Sequence, residues 1–438
     1  MSVNEYYRCF LLLEILLFTI LIFTKKMELL KMNSQKSRII CCFLNFLIAC
    51  IFGLVMRLMY LFPIDFINYH FLLHAHTHVA MLGWLYLMLY VLIVHFFIPA
   101  AKSHKPIYNR LFWITDFSVI GMMISFPIQG YALFSIIFST MHILSSYFFC
   151  GLVLKDSSKE RSPATQLLKT AVIFMIVSTF GVWFLGPAVS TLGKQSIFYQ
   201  IAIQFFLHFQ FNGWFLCAVL ALFLRQFQIK IDETKFKIFH FLLIASIVLT
   251  FAFPVRWFVE NTVLNCINAV GVVVQVAAFI YFYKMLQPQI FNFKSNLDTT
   301  AKMVYGLALF SLGLKAGMQM LTIIPNITEV SHQIRNFVVG FIHLTTLGII
   351  TGFLFAILLQ NKMLSAASSA LQTGIKCFIG GYIATEVLLF LQGGLFYFGK
   401  GNMSGYYQSI FICSLLLVFG LILIIKSLIN KKQESIHS

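Results

Sequence analysis

Apolar runs of about 18 residues or more recur from near the start of this chain to near its end, with only short connections between them. A run of that length crosses a hydrocarbon core of about 30 Å as a helix. Inside such a core, only helices and closed barrels satisfy their own backbone hydrogen bonds. The chain therefore reads as an all-α, polytopic membrane protein. About thirteen transmembrane helices are expected, at 10–25, 39–61, 71–99, 111–127, 131–155, 166–188, 196–226, 236–254, 260–285, 300–323, 334–361, 373–395 and 407–426. Breaks between them carry turn residues, among them Pro63, Pro99, Pro127 with Gly130, Pro163, Pro288 and Pro325. With 60% of the 438 residues apolar and 10% charged, no stretch remains for a soluble domain. Three divisions follow: an extra N-terminal helix and basic loop at 1–38, a twelve-helix membrane domain at 39–426, and a tail at 427–438.

A net charge of +17 invites a nucleic-acid reading, and its distribution answers that reading. Of the 31 Lys and Arg, 24 fall in alternate loops, six in the other set (Arg8, Arg57, Lys194, Arg256, Arg335 and Lys400), and Lys315 within a span. That alternation is the positive-inside pattern. It puts the C-terminus in the cytoplasm and the N-terminus outside, in a bacterial cytoplasmic membrane whose lipid is the main partner, with no role for nucleic acid. The first segment has a basic flank at Lys25-Lys26 and no small-residue cleavage site, so it reads as a retained helix. The nine cysteines form no CxxC pair and read as small buried hydrophobes. No internal repeat stands out.

Against this apolar background, His70, His74, His76 and His78 lie within nine residues of one another and lead straight into the run beginning at Val79. Ionisable groups at membrane depth are costly, and mark sites that handle metals, protons or ions. A rise of about 1.5 Å per residue allows each to be placed by depth. His78, His142, His208 and His343 then share the outer half of the bilayer with Lys315 and Glu386, each on a different helix. Helical phase puts His70, His74 and His78 on one face and His76 nearly opposite. Gln200, Gln204, His208 and Asn212 form one polar stripe, and Asn261, Asn265, Asn268 and Gln275 another; both are expected to face the bundle interior. Lys315 and Glu386 are expected to pair, with a proton or anion site as the alternative. Arg57, Arg256 and Arg335 stand at outer helix ends, as interface anchors or as fork-shaped partners for carboxylates such as haem propionates. His142 taken singly reads as an interhelical hydrogen-bond donor or a ligand. Zinc could accept His74 and His78 at i, i+4, given further ligands nearby.

With the extra N-terminal helix set aside, histidines fall on the second, sixth and tenth of the remaining twelve helices. This pattern resembles the haem-copper oxidase catalytic subunit across 39–426. The resemblance implies a low-spin haem held from the second and tenth helices, by the His74/His76/His78 cluster and His343, and a copper role for His208. The segment Gly340-Phe341-Ile342-His343 looks like that family's His-X-His segment with its first histidine, the high-spin haem ligand, replaced by Phe341. The family's copper-binding His-His pair has only His240 in the matching stretch. The spacing His76-Thr77-His78 to Gly83-Trp84, with His343, Thr346 and Gly348, is also similar to NnrS-like haem and copper proteins of nitric oxide stress.

The expectation is a membrane protein that binds one low-spin haem b between His78 (or His76 or His74) and His343, with Arg57, Arg335 and Arg256 as further cofactor-binding residues. Its role would be electron transfer or redox and gas sensing, with a cytochrome or quinol as donor. Copper would fall to His208 and His142. Two alternatives remain open. One is a transporter using the Lys315/Glu386 pair with Gln204 and Asn212. The other is an oxygen or nitric oxide reductase whose missing ligands come from His208, His142 and the His74/His76 face.

Overall fold

The computed structural model describes residues 34–157, 162–227, 231–289, 297–364 and 368–434. The helix expected at 10–25 and the last residues of the tail lie outside the described residues. Within them, the chain is helical apart from short connections and contains no strand. Twelve helices are long and apolar enough to cross a membrane: α1 (Gln35–Leu58), α2 (Tyr69–Phe97), α3 (Pro106–Gln129), α4 (Leu133–Asp156), α5 (Pro163–Thr191), α6 (Ile197–Gln226), α7 (Glu233–Arg256), α8 (Thr262–Leu286), α9 (Thr299–Leu321), α10 (Arg335–Gln360), α11 (Ser369–Tyr397) and α12 (Tyr406–Ile429).

Short polar side chains set most of the helix starts. Ser34, Asn68, Ser162, Ser196, Asp232, Asn261, Asp298 and Ser368 each accept a backbone N–H of the first turn that would otherwise lack a partner inside the apolar run. The sequence places a helix end at Pro127, but α3 runs on to Gln129. A proline's missing N–H and ring matter most to the turn before it, so the helix survives two more residues. It ends at Gly130, whose φ of 61° is left-handed.

Helices packed side by side close a ring, with α1 against both α2 and α12. Three spans form the centre: α2, α6 and α10, four apart in order. Trp84 of α2 donates to Thr351 of α10 at 2.9 Å, the Tyr86 ring of α2 lies 6.0 Å from Trp214 of α6, and Asn361, just past α10, donates to Gln226 of α6 at 2.9 Å.

These three helices share an irregularity that no reading of the sequence for repeats picked out. Each carries a histidine followed at once by a π-helical stretch: Val79–Tyr86 after His78, Phe209–Phe215 after His208, and Leu344–Thr351 after His343. Each stretch has a glycine five residues beyond its histidine, namely Gly83, Gly213 and Gly348. The widened turns matter because π-helical segments concentrate at functional sites. The glycines admit side chains from surrounding helices. A Cβ at Gly83 would lie 2.8 Å from Val119, one at Gly213 2.6 Å from Phe174, and one at Gly348 would collide with Tyr382 and Ser311.

The same glycines divide the bundle in two. From Gly83 to Val94, Gly213 to Leu224 and Gly348 to Leu359, every residue is buried. On the other side of each glycine the histidines are partly exposed, with His74, His76, His78, His208 and His343 all bordering accessible space. One end of the bundle, the basic end by its loops, therefore has a solid centre. The other, the histidine end, is open between the central helices.

Candidate functional site

The three central helices define three sectors at the histidine end, and each holds at least one imidazole. Residues four apart share a helix face, whereas residues two apart point nearly opposite ways. His76 and His78 therefore enter different sectors.

The first sector lies among α1, α2, α10, α11 and α12. His76 Nδ1 is 2.8 Å from the Ala49 carbonyl, a bond that fixes the ring and turns Nε2 away from α1. The ring also lies flat on α1 where a side chain is missing, because a Cβ at Gly53 would be 3.0 Å from His76 Cε1. Ala49, Gly53 and Arg57 thus form one face of α1 beneath this histidine. His343 enters from α10, within electrostatic range of both His76 and Arg57. Its Nδ1 is 3.7 Å from Glu386 Oε1 on α11, and its side chain keeps 21% exposure deep in a bundle, which means it lines internal space. Neither His343 Nδ1 nor either Glu386 oxygen has a hydrogen-bond partner. Arg57 donates to the Ile410 carbonyl at 3.2 Å and to Ser414, tying α1 to α12. At the mouth, Arg335 donates to Tyr69 at 3.0 Å and stacks over its ring.

The second sector lies among α2, α3, α4 and α6. His78 Nδ1 donates to the His74 carbonyl at 2.8 Å, and its Nε2 is 3.3 Å from the Tyr131 hydroxyl. Phe126 and Tyr131 wall it in, and Tyr131 also meets His74 at 4.6 Å. His142 of α4 is buried against Tyr86, with Nδ1 3.3 Å from Ser146 Oγ and Nε2 without a partner.

The third sector lies among α6, α7, α8, α9 and α10, and a hydrogen-bond chain runs through it. Lys315 Nζ donates at 2.9 Å to both Asn212 Oδ1 and Gln319 Oε1. Asn212 Nδ2 reaches His208 Nδ1 at 3.4 Å, and His208 Nε2 donates to the Ile247 carbonyl at 2.8 Å. Phe341, on the face of α10 opposite His343, lies under the ammonium with its ring centre 4.7 Å from Nζ. Gln204 lies one turn from His208 on the same face of α6 and is partly exposed toward the open end.

Several expectations from the sequence change. The cluster residue that shares a sector with His343 is His76; His78 faces α3, because a 200° difference in helical phase cannot bring both to α10. Lys315 and Glu386 do not pair: α10 stands between them, the lysine is held by neutral amides, and the carboxylate faces His343. His208 and His142 stand in different sectors, so they cannot share a copper ion. Among the described residues, no group of three or more His, Cys, Asp or Glu side chains has metal-holding geometry. Arg256 pairs with Glu329 at 3.6 Å on the rim of the third sector, apart from Arg57 and Arg335. The sequence reading missed the Ala49 and Gly53 support for His76, and it missed Tyr131. A His-x4-Gly search would have exposed the three related helices.

No protein-family model matches the chain, and comparison with curated proteins gives no significant match.

Proposed function

We propose that this multi-pass membrane protein binds one low-spin b-type haem in the first sector, which His76 and His343 would hold, and that it passes or senses electrons. The observation that carries this reading is the pairing of two imidazoles from facing helices with complementary support. His76 has its Nδ1 committed to the Ala49 carbonyl, which leaves Nε2 as the ligating nitrogen. His343 has a carboxylate beside its Nδ1, the usual second partner of a metal-bound imidazole. An unpartnered His343 nitrogen and two unpartnered Glu386 oxygens, all buried, are what a ligand-bound arrangement would use. The residues present therefore fit the group.

When bound, a haem held by two imidazoles would supply a one-electron couple suited to electron transfer. The chain's own residues do the rest. Gly53 gives His76 room to lie against α1, Glu386 orients His343, and Arg57 and Arg335 offer fork-shaped donors to carboxylate substituents at the open end. In the third sector, Phe341 and the Lys315 network stand where the resemblance to the haem-copper oxidase subunit would want a second haem ligand. That favours electron transfer over oxygen or nitric oxide reduction. The solid half of the bundle argues against a transport path. By the distribution of Lys and Arg, the histidine end faces the outside of a bacterial cytoplasmic membrane, where a quinol or cytochrome would be the electron donor.

The test is the reduced-minus-oxidised spectrum of full-length protein purified after expression with added haem precursor. Low-spin b-type bands at one haem per chain are expected. Protein that stays haem-free when folded overturns the reading, and carbon monoxide binding to the reduced form would replace it with a gas-binding one.

A further inference from the structure

A buried ammonium with only neutral partners is the least expected feature of the third sector. Lys315 is 1% exposed. It has three N–H donors, two of them spent on side-chain amides, and no carboxylate among the described residues pairs with it. The Phe341 face offers a cation–π contact, which is weaker than the cost of desolvating a lone charge. Among the described residues nothing balances that charge.

Unpartnered donors also lie at the histidine end of this sector. At the rim, Arg256 Nε and Trp257 Nε1 are buried N–H donors without an acceptor. Glu329 meets only the Nη2 side of Arg256. Deeper, Asn268 Nδ2 donates to Thr322, one turn of α9 from Gln319, which in turn holds Lys315. Two other unpartnered groups can accept, Gln275 Oε1 further along α8 and His332 Nδ1 beside Trp257. Spare donors at the rim and a buried ammonium with no carboxylate partner among the described residues suit a ligand that brings negative charge and accepts hydrogen bonds. The single lysine and the Phe341 wall favour one charge and small size.

We propose that Lys315 is the seat of a binding site for a small monovalent inorganic anion, entered from the histidine end past Arg256 and Trp257. The site is separate from the first sector and does not depend on the haem reading.

The experiment titrates detergent-solubilised full-length protein with sodium nitrite and with sodium chloride, at ionic strength held constant with sodium gluconate, whose anion is too large to enter. Calorimetry and the melting temperature are the two readouts. Saturable heat and a rise in melting temperature are expected for at least one of the two salts but not for gluconate. Lys315→Gln should weaken binding more than tenfold, and Lys315→Arg should retain it. If Lys315→Gln does not fold, Arg256→Gln, which alters only the rim, should weaken binding measurably. His76→Ala should leave anion binding unchanged. Three results overturn the proposal: no difference between nitrite, chloride and gluconate in the wild type; undiminished binding in folded Lys315→Gln; or loss of binding in folded His76→Ala, which would place the anion in the first sector.

Discussion

His76 and His78 are two residues apart on α2, yet their imidazoles serve different sectors: His76 bonds to Ala49 of α1, and His78 meets Tyr131 beyond α3. The divergence turns a string of histidines into two separate sites. His76→Ala should abolish low-spin haem, while His78→Ala should keep the spectrum and stoichiometry of the wild type. Equal loss in both variants would contradict the assignment.

Glu386 places a carboxylate 3.7 Å from His343. A carboxyl group that takes up the N–H of an imidazole makes that imidazole a stronger donor, which would favour the oxidised state of an iron it held. Glu386→Gln should therefore raise the midpoint potential, by roughly 60 mV for each tenfold change in the equilibrium. Redox titration of the two proteins side by side measures this, and a fall in potential would refute it.

Lys315 and Glu386 lie on opposite sides of α10, so their substitutions should act independently. In a double-mutant cycle of Lys315→Met and Glu386→Gln, the two effects on melting should add to within about 0.5 kcal/mol. A coupling well above that would restore the ion pair that the sequence suggested.

Gly213 faces Phe174 of α5 so closely that a methyl group there would lie 2.6 Å from the Phe174 Cβ. Gly213→Ala should destabilise the bundle by about 1–3 kcal/mol through overpacking. Gly306, where a Cβ meets nothing within 4 Å, provides a control that should tolerate alanine. Unfolding of the three proteins in mixed micelles compares them directly.

His332 lies in the connection between α9 and α10, stacked on Trp257 at 5.4 Å. Burial lowers its pKa in the folded protein, and a hydrogen bond to the Glu329 backbone opposes the shift in part. The unfolded chain then binds the proton more readily, so this residue reduces stability as pH falls below about 6.5, the ordinary histidine value. Melting temperature should drop less in His332→Asn than in the wild type between neutral pH and about pH 5. Identical profiles would show that the stack does not matter.

The twelve described spans were legible because a bilayer demands long apolar runs, and the expected boundaries fall within a few residues of the observed ones. The shared level of His78, His208 and His343 along their helices was legible too, since rise per residue is fixed. The opposite facing of His76 and His78 was legible as well, but which neighbouring helix each face meets was not. A period of 3.6 residues predicts faces only along a regular helix, and the π-helical stretches after His78, His208 and His343 change the phase of everything beyond them. The choice of His76 over His78 also depends on α1, where Ala49 and Gly53 look like ordinary small residues until the ring rests on them. Lys315 and Glu386 were paired on depth alone, and depth says nothing about which helix stands between two groups.

The solid packing that begins at Gly83, Gly213 and Gly348 also has an electrical consequence. Voltage across a membrane falls mainly where no water or mobile ion can screen it, and in this bundle that is the packed half. His76 and His343, which border accessible space, sit on the near side of that barrier, close to the potential of the aqueous phase at the histidine end, with Lys315 buried beside them. A charge crossing the full barrier would exchange about 2.3 kcal/mol per 100 mV, whereas an electron or anion arriving from the histidine end crosses little of it. Binding and reduction there should therefore be nearly blind to membrane voltage, and would report the chemistry of one compartment in both energised and resting cells.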